Sequence, residues 1–176
     1  MEIIKFPNVK DRKGYARNRV LESLFEVRLS IKMLKDGYSR NSANKIFLAW
    51  KAFISALVTL NLDKLGKDEK QKEWYNKIGF CAPTTGIKGI TQELEDLGYK
   101  DLSNVTSTAL LLHSYAYNGI YKGITNYSSK EEAIRDIIKL TKFILDNITS
   151  FKDIWDNELE EEYTKSLNEF KELLSK

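Results

Sequence analysis

Residues 46–62, IFLAWKAFISALVTLNL, form the most apolar stretch of the chain and decide its fold class. Apolar side chains recur there at steps of three and four, from Ile46 through Trp50 to Phe53, which predicts a helix over about residues 40–62. With apolar residues on two faces, this helix should be the most buried one. Three alanines on one side let another helix backbone approach closely, so we expect the preceding helix to pack there in the antiparallel direction. These alanines are Ala49, Ala52 and Ala56.

The same periodicity extends outward in both directions. It predicts further helices over about residues 11–35, 87–97, 105–121, 128–148 and from 155 onward, whereas the polar residues 63–77 predict at most a short one. Gly37 is expected to end the first helix. The expected N-terminal caps are Ser39, Thr84 or Thr85, Ser103 or Asn104, and Ser128 with Glu131 as a capping box. Because no repeat or linker divides the chain, residues 1–176 predict one all-α domain, an up-and-down bundle of five to six helices.

Composition argues against several classes of protein. A single cysteine, Cys81, excludes an internal disulfide, and Lys51 interrupts the longest apolar stretch, so we expect a cytoplasmic protein that does not span a membrane. One histidine and one cysteine are too few for a zinc site, and no P-loop or dinucleotide motif occurs, so we expect no metal and no cofactor. Residues 86–89, Gly-Ile-Lys-Gly, match the short loop of KH modules, but their flanks predict helix, which favours an ordinary turn.

Charge is distributed unevenly along the chain. Residues 1–62 contain twelve Lys and Arg against five acidic residues, whereas residues 129–176 contain eight against twelve. An anionic partner, head-to-tail contacts between copies and uneven solvation of helix faces all fit this gradient. The basic N-terminal cluster has the residue types that bind a nucleic-acid backbone, with Tyr15 available to stack on a base, although solvated cations are also common at the start of a helix. The cluster consists of Lys10, Arg12, Lys13, Arg17 and Arg19.

The only histidine lies in the segment HSYAYNG, residues 113–119. A helix places His113 and Tyr117 on one face, with Asn118 beside them, so these side chains are the candidates for a polar site inside the bundle. A histidine held by hydrogen bonds in the core for structural reasons is the alternative. Any nucleophilic or general acid–base mechanism that requires histidine would depend on His113.

Three segments resemble the archaeal PaREP1 family: KMLKDGY (residues 32–38), SANKIFLAWKA (42–52) and ALLLHSYAYNG (109–119). Residues 83–86 and 127–138 are also similar to the corresponding parts of that family, so the resemblance covers most of the chain. It implies an archaeal protein from a thermophilic lineage.

The helical layout resembles the HEPN bundles as well. Active HEPN proteins use an arginine and a histidine that are separated by four to six residues on one helix for metal-free RNA cleavage. Here the corresponding positions hold Thr106, Ser107 and Thr108, so the motif is incomplete, which favours a non-catalytic or divergent relative. Arg40, on another helix, is the candidate substitute.

Three functions remain open at this level. The first is a helical interaction protein, self-associating as a homo-oligomer and binding RNA or another protein, in the defence or stress context that the HEPN resemblance implies. The second is a metal-independent ribonuclease that uses His113, with Tyr117 or Asn118 positioning the phosphate and Arg40 stabilising charge. The third is a structural oligomer subunit whose C-terminal helix supplies the interface.

Overall fold

Residues 11–175 are described by the computed structural model, and they form seven α-helices joined by short turns, with no strand in that range. The helices are α1 (Arg12–Lys35), α2 (Ser39–Leu60), α3 (Glu69–Lys77), α4 (Ile87–Asp96), α5 (Leu102–Asn118), α6 (Lys130–Asn147) and α7 (Asn157–Leu174). The predicted all-α bundle is therefore confirmed, but the predicted count of five to six helices is wrong. The difference arises at α3, where Tyr75 is the one buried residue, so the sequence of α3 carries no apolar stripe.

Helix α1 packs against α2 in the antiparallel direction, as the alanine strip predicts. The Ser23 hydroxyl donates to the Ala49 carbonyl at 2.9 Å, and the hydroxyls of Ser30 and Ser42 lie 2.9 Å apart. Ser23 precedes Ser30 in α1, whereas its partner Ala49 follows Ser42 in α2, so the two helices run in opposite directions. The small side chains at these contacts let the two backbones approach closely.

The other faces of α2 are covered by α5 and α6. Trp50 is fully buried, its indole N–H donates to the Thr106 hydroxyl of α5 at 3.0 Å, and its ring meets Phe143 of α6 edge-on. Helix α2 is long and apolar enough to cross a membrane, but 72% of its most apolar window is buried in the bundle. This burial is typical of the core helix of a globular protein.

Most of the predicted helix caps are wrong in detail. The Ser39 hydroxyl is bonded to the Tyr115 hydroxyl at 2.7 Å instead of capping α2. Gly86, with φ +100°, precedes α4 in place of Thr84 or Thr85, and Asp101 precedes α5 in place of Ser103 or Asn104. The positive φ at the position before α4 favours glycine, which explains why neither Thr84 nor Thr85 is the cap of that helix.

The predicted capping box exists one residue further along the chain. The Ser129 oxygen accepts from the Glu132 N–H at 3.3 Å, and the Glu132 carboxylate accepts from the Ser128 N–H at 2.8 Å. Two backbone donors that lack helical partners are thereby satisfied. Sequence patterns locate a helix start more reliably than the residue that caps it.

Candidate functional site

The basic N-terminal cluster is largely engaged with carboxylates. Arg12 donates to Asp63 at 2.8 Å, and Arg17 binds both Asp156, at 2.8 Å, and Glu158. Arg19 binds Glu22 within α1, Lys13 is exposed, and Lys10 lies outside the described residues. Three of the proposed phosphate-binding guanidinium groups therefore already have anionic partners.

The pairing of α1 with the acidic α7 explains much of the charge gradient. Besides Arg17, Arg28 donates to Glu162 at 2.7 Å and to Glu169 at 2.8 Å, and Lys35 pairs with Glu172 at 3.0 Å. We call this set of cross-helix ion pairs the α1–α7 interface. The basic and acidic ends of the sequence thus meet within one chain, an arrangement that the three readings of the gradient do not include.

A second charged region lies on another face of α1, where α1, α2 and α5 meet. Arg19 and Glu22 form a half-buried ion pair on α1, and Lys51 of α2 donates to the Thr84 hydroxyl at 3.4 Å. Lys51 is close enough to Arg19, Glu22 and His113 to change the pKa values in this region. We call this region the polar crevice, and its ionisable residues are Arg19, Glu22, Glu26, Lys45, Lys51 and His113.

Hydrogen bonding is incomplete in the polar crevice. Within residues 11–175, three buried side-chain atoms have no hydrogen-bond partner, and all three belong to it: Nε of Arg19, Oε2 of Glu26 and Nδ1 of His113. Lys45 Nζ does lie 3.2 Å from Glu26 Oε2, which makes an ion pair without hydrogen-bond geometry. Unpartnered buried polar atoms are rare in folded proteins, so their concentration in one place makes this region the candidate site.

Burial shifts the pKa values of Glu22, Lys51 and His113 in the direction that favours their uncharged forms. Burial raises the pKa of Glu22, even though the adjacent Arg19 opposes the shift. Burial also lowers the pKa of Lys51, with a further contribution from Arg19, and it lowers the pKa of His113, with a further contribution from Lys51. His113 is therefore a neutral imidazole at neutral pH, able to accept a proton.

Aromatic rings fix the orientation of His113. Its ring stacks on Phe47 of α2 with centroids 4.1 Å apart, and Tyr117 meets it edge-on at 5.1 Å. The Tyr117 side chain is 69% exposed, so its ring forms part of the rim of the crevice. The predicted pairing of His113 with Tyr117 is present in the structure.

Arg40 and Asn118 have other contacts. Arg40 donates to the Ala116 carbonyl at 3.1 Å and to the Tyr117 carbonyl, so it caps the C-terminal end of α5. The Asn118 amide donates to the Ser114 hydroxyl at 3.3 Å. The arrangement gives Arg40 a structural role at the helix end, where a cation is also favoured by the helix dipole.

Sequence reasoning missed Lys51, the cation that acts on His113. The sequence does contain a signal for this residue. Lys51 is the one charged residue between Ile46 and Leu60 of the core helix, and an isolated lysine is costly to bury there, which indicates a role beyond packing. Arg19 was predicted only as a member of the basic N-terminal cluster and Glu22 was not predicted, because their position beside Lys51 depends on how α1 packs. No group of three His, Cys, Asp or Glu side chains in residues 11–175 is placed to hold a metal ion.

The family comparison matches the model of the archaeal PaREP1/PaREP8 family to residues 18–138, which is more than half of the chain. All six ionisable residues of the polar crevice lie within the matched span, and α7 lies outside it. No curated protein and no solved structure matches the chain.

Proposed function

The chain belongs to the archaeal PaREP1/PaREP8 family, and from this premise we propose that it is an RNA-associated binding protein whose polar crevice receives a phosphodiester group. The observation that carries the proposal is that two buried polar atoms of the crevice, Nε of Arg19 and Nδ1 of His113, have neither a hydrogen bond nor an ion pair. Each such atom costs about 1–3 kcal/mol unless a ligand or water satisfies it. A phosphate oxygen would accept from Arg19 Nε and recover part of this cost.

The charges of the crevice favour an anionic ligand. Lys51 has a hydroxyl partner, Thr84, and no carboxylate of residues 11–175 lies within ion-pair distance of it, so its charge is available to a ligand. Arg19 retains an unpartnered N–H beside it. Arginine and lysine are the residues that proteins use most to bind phosphate oxygens, and their proximity raises the affinity for a group with two negative oxygens.

Tyr117 supports RNA as the source of that phosphate. Its exposed ring stands at the rim of the crevice beside His113, where an unstacked base could lie against it. Stacking of a base on an aromatic side chain contributes about 1–3 kcal/mol and tolerates any sequence. Single-stranded RNA offers phosphates and free bases together, whereas the bases of a duplex are already stacked.

The proposal is tested by the affinity for a labelled single-stranded RNA of about twelve nucleotides, measured by fluorescence anisotropy at low salt. Lys51→Gln removes a charge beside the proposed phosphate and is expected to weaken binding by about tenfold, since a charge-assisted hydrogen bond contributes more than 1.4 kcal/mol. Lys32→Gln is the matched control, because Lys32 is an exposed lysine on the far part of α1, paired with Asp36. Equal effects of the two substitutions would contradict a role for the crevice.

The same experiment decides the role of the basic N-terminal cluster. Arg17→Gln is expected to leave RNA affinity nearly unchanged, because Arg17 is occupied by Asp156 and Glu158. If Arg17→Gln weakens binding as much as Lys51→Gln does, the basic N-terminal cluster and not the crevice carries the interaction.

The neutral His113 beside Lys51 supports a second function, metal-independent RNA cleavage, in which the fold would be HEPN-like. His113 would take the proton of the RNA 2′-hydroxyl, the 2′-oxygen would attack the adjacent phosphorus, and the 5′-oxygen would leave with a proton from water. Lys51 would then supply the positive charge that the incomplete motif lacks. Cleavage of RNA in the presence of a chelator, lost in His113→Gln, is the expected result, and intact RNA would reject it.

A further inference from the structure

A cavity of about 490 Å³ lies between α3 and α4, and none of its lining residues belongs to the polar crevice. The volume is within the range of small-molecule sites in proteins. Asp68 and Trp74 line the cavity at α3. The lining residues at α4 are Gly86, Gly89, Ile90 and Glu93.

The half-buried indole of Trp74 forms an aromatic wall between two glycines. A Cβ atom at Gly79 would lie 2.8 Å from Cζ3 of Trp74, which is too close, so the indole can occupy its position only beside a glycine. On the other side, a Cβ atom at Gly86 would lie 3.7 Å from the same ring, and the φ of +100° at Gly86 also favours glycine. The two glycines therefore place no side chain against these edges of the indole, which lines the cavity.

Glu93 supplies a fixed carboxylate at the opposite wall. The backbone N–H of Gly66 donates to Glu93 Oε2 at 3.2 Å. Burial raises the pKa of Tyr75 far above its ordinary value, and the nearby charge of Glu93 contributes, so Tyr75 stays neutral at all physiological pH values. The backbone donor holds the carboxylate while lone pairs remain free, because a carboxylate accepts about four hydrogen bonds.

The charges around the cavity favour a cation. Asp68 and Glu93 carry negative charge, and Lys70 is the one basic residue in the lining. An aromatic face next to carboxylates attracts a cation electrostatically, most strongly at tryptophan, and a planar guanidinium also stacks on the ring. Ile90 and the glycines offer an apolar surface to an aliphatic chain.

We propose that this cavity binds a guanidinium group carried on a short aliphatic chain, with its plane on Trp74 and its N–H groups on Glu93. This site is independent of the RNA-binding proposal. Its occupant is a small organic cation of the alkylguanidinium class.

The test is a titration followed through the indole N–H signal of Trp74 in the NMR spectrum, with butylguanidinium and its neutral isostere butylurea as probes. Butylguanidinium is expected to shift the signal saturably in the millimolar range or below, and butylurea is expected to bind at least about tenfold more weakly, because it lacks the charge that Trp74 and Glu93 attract. Equal binding of the two probes would overturn the proposal.

Substitutions at Gly89 test the location without disturbing the fold. A Cβ at Gly89 meets no atom within 4 Å, so Gly89→Ala fits and is expected to retain binding, whereas Gly89→Leu places a side chain in the cavity and is expected to abolish it. Glu93→Gln should weaken butylguanidinium binding by about tenfold, and Glu73→Gln, on the exposed surface of α3, should not. Binding that survives in Gly89→Leu would place the cation elsewhere and overturn the proposal.

Discussion

Helix α1 carries charge on two faces, and the two faces differ in how that charge is satisfied. At the α1–α7 interface, three basic side chains of α1 each pair with a carboxylate in α7 or at its N-terminal cap. These side chains are Arg17, Arg28 and Lys35. In the polar crevice, Arg19 has a partner three residues along the same helix and keeps an unpartnered N–H. The first arrangement holds two helices together, whereas the second leaves polar atoms without a hydrogen-bond partner in residues 11–175.

This difference separates charges that stabilise the fold from charges that reduce its stability. An ion pair that joins two helices is lost on unfolding, together with the packing around it. A buried polar atom without a partner is better solvated in the unfolded chain, so it lowers the free energy of unfolding. Proteins keep such groups mainly where function requires them.

The largest effect expected from this comparison is the destabilisation caused by Glu162→Ala. Glu162 is buried and accepts from Arg28 at 2.7 Å and from Lys165 at 2.6 Å, so its removal leaves Arg28 with fewer acceptors at the α1–α7 interface. The free energy of unfolding should fall by about 2–3 kcal/mol, measured by chemical denaturation.

Two other glutamates provide the controls for Glu162. Glu161→Ala changes an exposed neighbour and should alter stability by no more than about 0.5 kcal/mol. Glu22→Gln, in the polar crevice, should cost less than about 1 kcal/mol, because burial already disfavours its charge. If Glu22→Gln costs as much as Glu162→Ala, the proposed distinction between the two faces is wrong.

The sequence predicted the helices because apolar periodicity is a local signal. The stripe in α2 and the alanine strip were enough to predict which helix α1 would pack against. Helix α3 gave no comparable signal, and the caps depended on backbone angles at Gly86 and Asp101 that side-chain preference does not reveal.

The candidate site was predicted only in part, because it depends on contacts between distant residues. His113 and Tyr117 are four residues apart on one helix, so their proximity could be predicted. The pairing of Arg17 with Asp156 spans most of the chain, and the position of Arg40 at the end of α5 depends on how α2 and α5 cross. No pattern within a single helix contains that information.

The second prediction concerns His113→Phe, a substitution in the polar crevice that should raise the free energy of unfolding and abolish RNA cleavage. His113→Phe keeps the stacking on Phe47 but removes the unpartnered Nδ1, so the free energy of unfolding should increase by about 1 kcal/mol and Tm by a few degrees. RNA cleavage, where present, should be lost. Thermal denaturation measures the first effect, and a decrease in Tm would indicate that Nδ1 has a partner in the folded protein.

The smallest expected effect is a difference in how the two faces respond to acid. Burial opposes ionisation of Glu162, but hydrogen bonds from Lys165 and Arg28 outweigh it and lower its pKa, so the stability that Glu162 contributes is lost as the pH falls through the folded-state pKa. Burial raises the pKa of Glu22, so its protonated form is favoured in the folded state and the related stability is lost as the pH rises through the folded-state pKa. Acidification below about pH 5 should therefore weaken the α1–α7 interface. In the polar crevice it should instead remove the cost of keeping Glu22 charged.

NMR titration of the side-chain carboxyl carbons separates these two responses. The midpoint of Glu162 should lie below the ordinary glutamate value and that of Glu22 above it. Since Glu22 is ion-paired to Arg19, a midpoint at or below the ordinary value would mean that the ion pair outweighs burial.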